Sequence, residues 1–230
     1  MIKITKKKQI IYKKINLNQE YNIVQAITIL KKYKTHKFIE SIDIAMNLGI
    51  DPKKTEQTIR GATILPHGLG KNIKIAVFTQ GENIQIARNN GANIAGNEDI
   101  IPILKNKKNN FDIVIASPDT MHIVSKLGPI LGPRGLMPNL KTGTITENIG
   151  TAVKNAKKGN IRYKNDKNGI IHTTIGKINF SDNQIHENIK QFITEIKKLK
   201  PKNLKGNFIK KMTLSTTMGC GIIIDLNSII

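Results

Sequence analysis

The sequence predicts two domains of different texture: an α+β domain built from both chain ends, its antiparallel sheet covered by helices on one face, and an inserted α/β domain of Rossmann-like, three-layer form. Three observations predict this. Residues 72–116 alternate helices with short strands that are apolar on both faces, the pattern of βαβ units on a parallel sheet. The segments on either side instead alternate apolar and polar residues, as strands with one covered face do. The two outer pieces also match each other in kind, so 1–66 and 160–230 are expected to build one domain around an insert at 67–159.

A chain of 230 residues is long enough for two such domains. Its 37 Lys and Arg against 16 Asp and Glu, a net charge of +21, favour a polyanion as partner. Aromatic residues make up only 4%, with no Trp, which argues against base-stacking platforms and for recognition of a folded RNA shape. The outer pieces hold 25 basic and 10 acidic residues and the insert 12 and 6, so the outer domain is the expected polyanion surface. The single Cys220 excludes an intrachain disulfide and fits a reducing compartment. No apolar run reaches the ~20 residues of a membrane span, and the lysine-rich start lacks an apolar leader core, so a soluble protein with no membrane partner is expected.

Taken in order, residues 1–14 hold six lysines, no acid and no apolar period, and read as a mobile basic arm. From Glu20 onward Ile23, Ile27 and Leu30, joined less strictly by Val24 and Tyr33, follow the helical period, with Asn18 available as cap. Residues 37–48 alternate, placing Phe38, Glu40, Ile42, Ile44 and Met46 on one parity and Ser41, Asp43 and Asn47 on the other. Phe38 and Glu40 open that strand, where a ring and a carboxylate could leave the core to meet a ligand or form a core-edge pair. Asp51-Pro52 breaks it, and residues 60–68 read as a second strand ending in a turn.

In the middle, residues 72–79, 92–95 and 111–116 are expected strands, and 82–90, 97–105 and 118–126 expected helices. Residues 127–144 follow, with Gly128-Pro129, Gly132-Pro133, Met137-Pro138-Asn139 and Gly143. Proline fixes φ and has no N–H to donate, so this is a shaped loop and neither a long helix nor a central strand. Ile130, Leu131, Leu136 and Met137 would pin it to a core while Arg134 and Lys141 present charge. Thr146 is expected to cap a helix carrying Ile149, Val153 and Ala156, which Lys157-Lys158-Gly159 ends.

Residues 161–164 and 169–178 then read as antiparallel strands around a turn at 165–169, where Asn168-Gly169 supplies the positive φ. Ser181 or Asp182 caps a helix with Ile185, Ile189, Phe192, Ile196 and Leu199 on one face, and Pro201 stops it. Residues 207–216 and 221–226 supply two more strands, separated by Thr217-Met218-Gly219-Cys220.

Catalytic signatures fail on inspection. Gly68-Leu69-Gly70-Lys71 lacks the first glycine of a phosphate loop, has Asn72 where Ser or Thr holds magnesium, and precedes a strand instead of following one. Thr79-Gln80-Gly81-Glu82 after the first middle strand carries no dinucleotide fingerprint, and residues 128–135 fail it too. His36, His67, His122, His172 and His186 are scattered with no i, i+4 pair and no cysteine partner, which argues against a metal. With no nucleophile setting and no placeable pair of carboxylates, neither an enzyme nor a cofactor is expected; a nucleotide-binding enzyme using the α/β insert is the competing class. Ser215-Thr216-Thr217-Met218-Gly219 offers hydroxyls, close backbone approach and a flexible Met, which suits hydrogen bonding to RNA and equally suits a plain turn.

Gly132-Pro133-Arg134-Gly135-Leu136-Met137-Pro138-Asn139 closely resembles the bacterial form of large-subunit ribosomal protein one. So do Phe38-Ile39-Glu40-Ser41, Gly49-Ile50-Asp51-Pro52, Arg60-Gly61-Ala62-Thr63, Leu65-Pro66-His67-Gly68, Ala116-Ser117-Pro118-Asp119 and the segments 165–172 and 215–219. The resemblance, running from about residue 37 to 225, implies a non-enzymatic structural component of the large ribosomal subunit, cytoplasmic and ribosome-bound at its mobile stalk. It also implies a protein that is monomeric off the ribosome and has its second domain inserted in its first. It implies large-subunit rRNA as partner, bound through Lys37, Phe38, Glu40, Ser215, Thr216, Thr217, Met218 and Gly219, with Lys164, Asp166, Lys167 and His172 as neighbours. It further implies exit-site tRNA, whose deacylated form such proteins help release, and the leader of the protein's own mRNA, bound to repress translation.

Overall fold

The computed structural model describes residues 11, 15–16, 19–35, 37–105, 111–201, 204 and 206–226. Along them run β1 (Glu20–Tyr21), α1 (Ile23–Lys32), β2 (Ser41–Leu48), β3 (Arg60–Ile64), β4 (Ile75–Phe78), α2 (Asn83–Asn89) and β5 (Ile94–Gly96). Next come α3 (Ile101–Lys105), β6 (Ile113–Ala116), α4 (Met121–Lys126), α5 (Gly128–Leu131) and α6 (Ile149–Lys157). The chain ends with β7 (Asn160–Lys164), β8 (Ile170–Lys177), α7 (Asp182–Lys198), β9 (Ile209–Thr216) and β10 (Ile222–Ile224). These elements form two compact units, one holding the residues up to Gly70 and from Ile161 onward, the other Lys71–Asn160.

In the first unit a five-stranded sheet runs in the order β1-β10-β9-β2-β8. Its pairs are antiparallel except at one edge, where the two residues of β1 lie parallel to β10, so the sheet is mixed and not wholly antiparallel. The period of two decides its faces. Ile42, Ile44, Met46 and Leu48 of β2 are buried with Met212 and Leu214 of β9 in one core, against Ile23, Ala26, Ile27 and Leu30 of α1 and Ile185, Ile189, Phe192, Ile193 and Ile196 of α7. Each of the Ile, Leu, Met and Phe side chains among them contributes roughly 1.5–3 kcal/mol of transfer free energy. The alternate residues Ser41, Asp43, Ala45 and Asn47 stay half-buried on the other face.

Local chemistry sets the ends of these helices. Ser181, the first of the two candidate caps, accepts from Gln184 N while Gln184 Oε1 accepts from Ser181 N, a reciprocal capping box. Asn22 caps α1 by accepting from Val24 N, whereas Asn18, the expected cap, lies outside the described residues. Val24 turns outward at 55% exposure because its step departs from the 23, 27, 30 stripe. Most of the predicted basic arm also lies outside the described residues, but Ile11 does not hang free. It is buried in the core with Ile15 one turn later, and Ile15 N donates to Ile11 O at 2.9 Å.

The expected pairing of residues 161–164 with 169–178 is replaced by a different one. β7 pairs with β3 in a separate two-stranded sheet, and only the bridge between Asn165 and Ile171 survives from the hairpin. Asn165 decides this: its Oδ1 accepts from Ile59 N at 2.8 Å and its N–H donates to Ile59 O at 3.1 Å, tying the end of β7 to the start of β3. Gly61 leaves room for the Tyr163 ring, since a Cβ there would stand 2.7 Å from the tyrosine oxygen. The turn itself forms as expected, with Gly169 at φ +76°.

The second unit has a parallel sheet in the order β5-β4-β6, buried at every position of β4 and β6. Alternate residues enter two different cores. Ala76, Phe78, Val114 and Ala116 pack with Leu104, Ile123, Val124 and Leu131 of α3, α4 and α5. Ile75, Val77, Ile113 and Ile115 pack with Ala87 of α2 and with Ile149, Val153 and Ala156 of α6, which makes three layers.

The Gly/Pro stretch contains the four-residue α5, with Pro129 in its first turn where a missing N–H leaves nothing unsatisfied. Beyond it Asn139 organises the loop: its carbonyl accepts from the Thr142 and Thr144 hydroxyls, both at 3.1 Å, and its Oδ1 from Lys141 N at 2.8 Å. Thr146 does not cap α6. Asn148 is the N-cap residue, and the Thr146 hydroxyl accepts from Asn148 N just ahead of the helix. Among the described residues no helix is long and apolar enough to cross a membrane.

Candidate nucleic-acid interface

At one end of the five-stranded sheet, two segments 176 residues apart are clasped together. Thr217 N donates to Ser41 O at 3.2 Å, and Ser41 N donates to Thr217 Oγ1 at 3.1 Å, continuing the pairing of Ile42 with Thr216. Gly219 N closes the turn onto Thr216 O at 3.0 Å. A Cβ on Gly219 would lie 2.3 Å from Thr216 Oγ1, so this close turn requires glycine. Lys177 Nζ reaches Ser41 Oγ at 2.8 Å from the neighbouring strand. At this end Phe38, Ile39 and Met218 are 47%, 55% and 55% exposed, so large apolar side chains flank a hydroxyl-bearing turn.

The residues singled out from the sequence divide into three groups, with His172 apart from all of them. Lys37, Phe38, Thr217 and Met218 are exposed at the clasped end, with Ser215 and Gly219 half-buried beside them. Glu40 and Thr216 are also there, but their side chains are buried. Glu40 Oε1 accepts from Thr35 N at 3.0 Å and its carbonyl accepts from Ile178 N, so the carboxylate braces the entry to β2 instead of facing outward. Phe38 and Glu40 therefore part company. Residues 37–40 precede the strand, which begins at Ser41; Glu40 keeps the core parity of Ile42 and Ile44 and is buried, whereas Phe38, two residues farther out, leaves that parity and is exposed.

The third group, Lys164, Asp166 and Lys167, belongs to the far end of the sheet, where Leu48 N donates to Gly169 O and Asn47 pairs with Ile170. Seven residues of β2 separate the two ends, roughly 24 Å at the rise of an extended chain. Asp166 is a turn-maker. Its Oδ1 accepts from Ile170 N and Asn168 N, both at 2.8 Å. The Ile170 bond first, opposed by desolvation, then the Asn168 bond and the nearby His172 hold its pKa below the ordinary carboxylate value. His172 lies between the ends, opposite Ala45.

The sequence reading passed over the uncovered face itself. β2 presents Asp43 between Thr174 of β8 and Ser215 of β9, and Thr174 Oγ1 donates to Asp43 Oδ1 at 2.6 Å. With Ala45 and His172 they line an open groove of about 360 Å³. The polar residues Ser41, Asp43 and Asn47 on one parity were the signal for it. Among the described residues no group of three or more His, Cys, Asp or Glu could hold a metal ion. Hydroxyls, peptide groups, a flexible Met and flanking lysines can hydrogen-bond and pack against a shaped polymer.

Residues 30–220 match the model of the Ribosomal protein L1p/L10e family. The chain is 55% identical over 229 residues to the large ribosomal subunit protein uL1 of Pasteurella multocida (strain Pm70), covering 100% of both chains. It is 54% identical over 229 residues to the protein of that name from Vibrio parahaemolyticus, covering 100% of this chain and 98% of that one. The protein of that name from Haemophilus influenzae is also 54% identical, with 100% of both covered. By a family match over most of its length and identities above one half end to end, the chain belongs to the Ribosomal protein L1p/L10e family.

Proposed function

We propose that the chain grips large-subunit rRNA at the mobile stalk through the unit built from its two ends, residues 1–66 and 160–230, with 67–159 as the inserted domain. As a member of this family it is a structural component of the large ribosomal subunit, ribosome-bound in the cytoplasm, and not an enzyme. The observation that carries the binding reading is the Ser41–Thr217 clasp, which ties the segment that carries Lys37 and Phe38 to the turn that carries Met218 and Gly219. A preformed surface loses little conformational entropy on docking, so its hydroxyl, peptide and apolar contacts go into specificity. The excess of lysine supplies a salt-dependent background.

The same surface serves the leader of the protein's own mRNA where that leader copies the stalk shape, which represses translation. Off the ribosome the protein is a monomer, and on it the stalk carries exit-site tRNA outward as the deacylated form leaves. Filter binding of the full chain to stalk RNA and to a scrambled duplex, at two salt concentrations, tests the core of this. Preference for the stalk RNA at both salts is expected, and equal binding would refute it. Competition of the leader against stalk RNA for one protein tests the regulatory extension.

A further inference from the structure

Asp43 lies on the uncovered sheet face, flanked in register by Thr174 and Ser215, in a groove of about 360 Å³. A carboxylate is out of place there if the face met only phosphates, on a chain whose net charge is +21. What a carboxylate accepts from a nucleic acid is an N–H or O–H donor. Among the bases, unpaired guanine sets two donors side by side, its N1–H and its 2-amino group. Adenine and cytosine place a ring acceptor beside their single amino group, and a carboxylate repels that acceptor.

The groove is built to hold Asp43 in one attitude. The 2.6 Å bond from the Thr174 hydroxyl orients the carboxylate while leaving acceptor capacity on both oxygens. Just beyond this pair β8 is bulged, so that Ile175 has no opposite residue between Gly176, which faces Ile42, and Thr174, which faces Asp43. Such a bulge bends a strand and re-aims the side chains next to it. Ser215 places a hydroxyl on the other side of Asp43, a donor suited to the guanine O6. A volume of this size is in the range that takes a small planar ligand.

We propose that this groove takes an unpaired guanine of the bound RNA, read by Asp43 with Thr174 as its positioning residue. The inference rests on the RNA-binding reading above. Full-chain protein and its Asp43→Asn variant are titrated with a transcript of the stalk RNA, and with copies in which one unpaired guanine at a time is replaced by inosine, which lacks the 2-amino group. At one position inosine should weaken wild-type binding by about 5- to 150-fold, the range for a bidentate base contact, and Asp43→Asn should weaken the unmodified RNA comparably. In the variant, inosine at that position should add nothing, because the partner group is already gone.

Losses that add, or Asp43→Asn binding at wild-type strength, overturn the groove assignment. Should Asp43→Asn not fold, Thr174→Val keeps the test decisive. It should shrink the inosine effect at the same position, and an undiminished effect overturns the proposal. If the wild type prefers stalk RNA to a scrambled duplex yet no inosine weakens it, the groove alone falls. If it shows no such preference, the RNA-binding reading falls as well.

Discussion

The two larger sheets of this protein differ in how many of their faces are covered. β4 and β6 are buried at all four positions each, with helices above and below. β2 alternates strictly between buried and half-buried through eight residues, because α1 and α7 cover only one side. A sheet clad on both sides offers a partner its loops and edges, whereas one clad on a single side offers a broad surface of side chains in fixed register. On the RNA-binding reading proposed above, the contrast separates scaffold from interface: a substitution in the first sheet should register as lost stability, and one on the open face of the second as lost binding.

The largest effect is expected in the clad sheet. Phe78 is fully buried at the end of β4, so Phe78→Ala should destabilise the protein by about 3–5 kcal/mol in chemical unfolding, leaving a cavity its neighbours cannot fill. A loss under about 1 kcal/mol would mean that the layers do not pack as described. Thr217→Ala comes next and mixes both kinds of cost. It removes the acceptor for Ser41 N as well as an exposed hydroxyl, so stability should fall by about 1 kcal/mol and affinity for stalk RNA by about 1–3 kcal/mol.

Met218→Ala separates the two costs. Met218 is 55% exposed, so unfolding should move by less than about 0.5 kcal/mol while specific binding weakens by about 1–3 kcal/mol with its salt slope unchanged. A changed salt slope with intact specificity would instead place Met218 in the electrostatic background.

How far these elements could be read in advance depended on whether their cause was local. The apolar runs of β4 and β6 and the four-and-three spacing of α7 with Ser181 at its start are local signals, and they located those elements to within a few residues. The partner of β7 was not legible. A period of two says that one face of a strand is covered but not which strand lies beside it, and the bond from Ile59 to Asn165 spans 106 residues. At the candidate interface, the motif around 215–219 was visible and the core parity agreed with the burial of Glu40, whereas the outward turn of Phe38 was left open by the sequence, because the strand begins only at Ser41. The groove stayed hidden for a related reason: Asp43 meets Thr174 and Ser215 through a register set by a bulge and by strands more than a hundred residues away.

The smallest effect belongs to the clad unit and comes from its edge. Asp112 Oδ1 accepts from Lys71 Nζ at 2.6 Å and Oδ2 from Lys74 N at 3.0 Å, just ahead of β6. Burial by itself would raise its pKa, but the Lys71 hydrogen bond, the Lys74 N–H and the charges of both lysines outweigh burial and hold it below the ordinary value. A carboxylate whose pKa is lower folded than unfolded stabilises the fold fully above its unfolded value, about 3.9, and loses that contribution as pH falls through the folded one. Asp112→Asn should therefore flatten the acid limb of the thermal midpoint against pH below about pH 4. At neutral pH it should cost less than about 1 kcal/mol, because Lys71 and Asp112 are 58% and 32% exposed and solvent screens the pair. Curves for wild type and variant that stay parallel down through the acid limb would show that this clamp does not couple the sheet edge to pH.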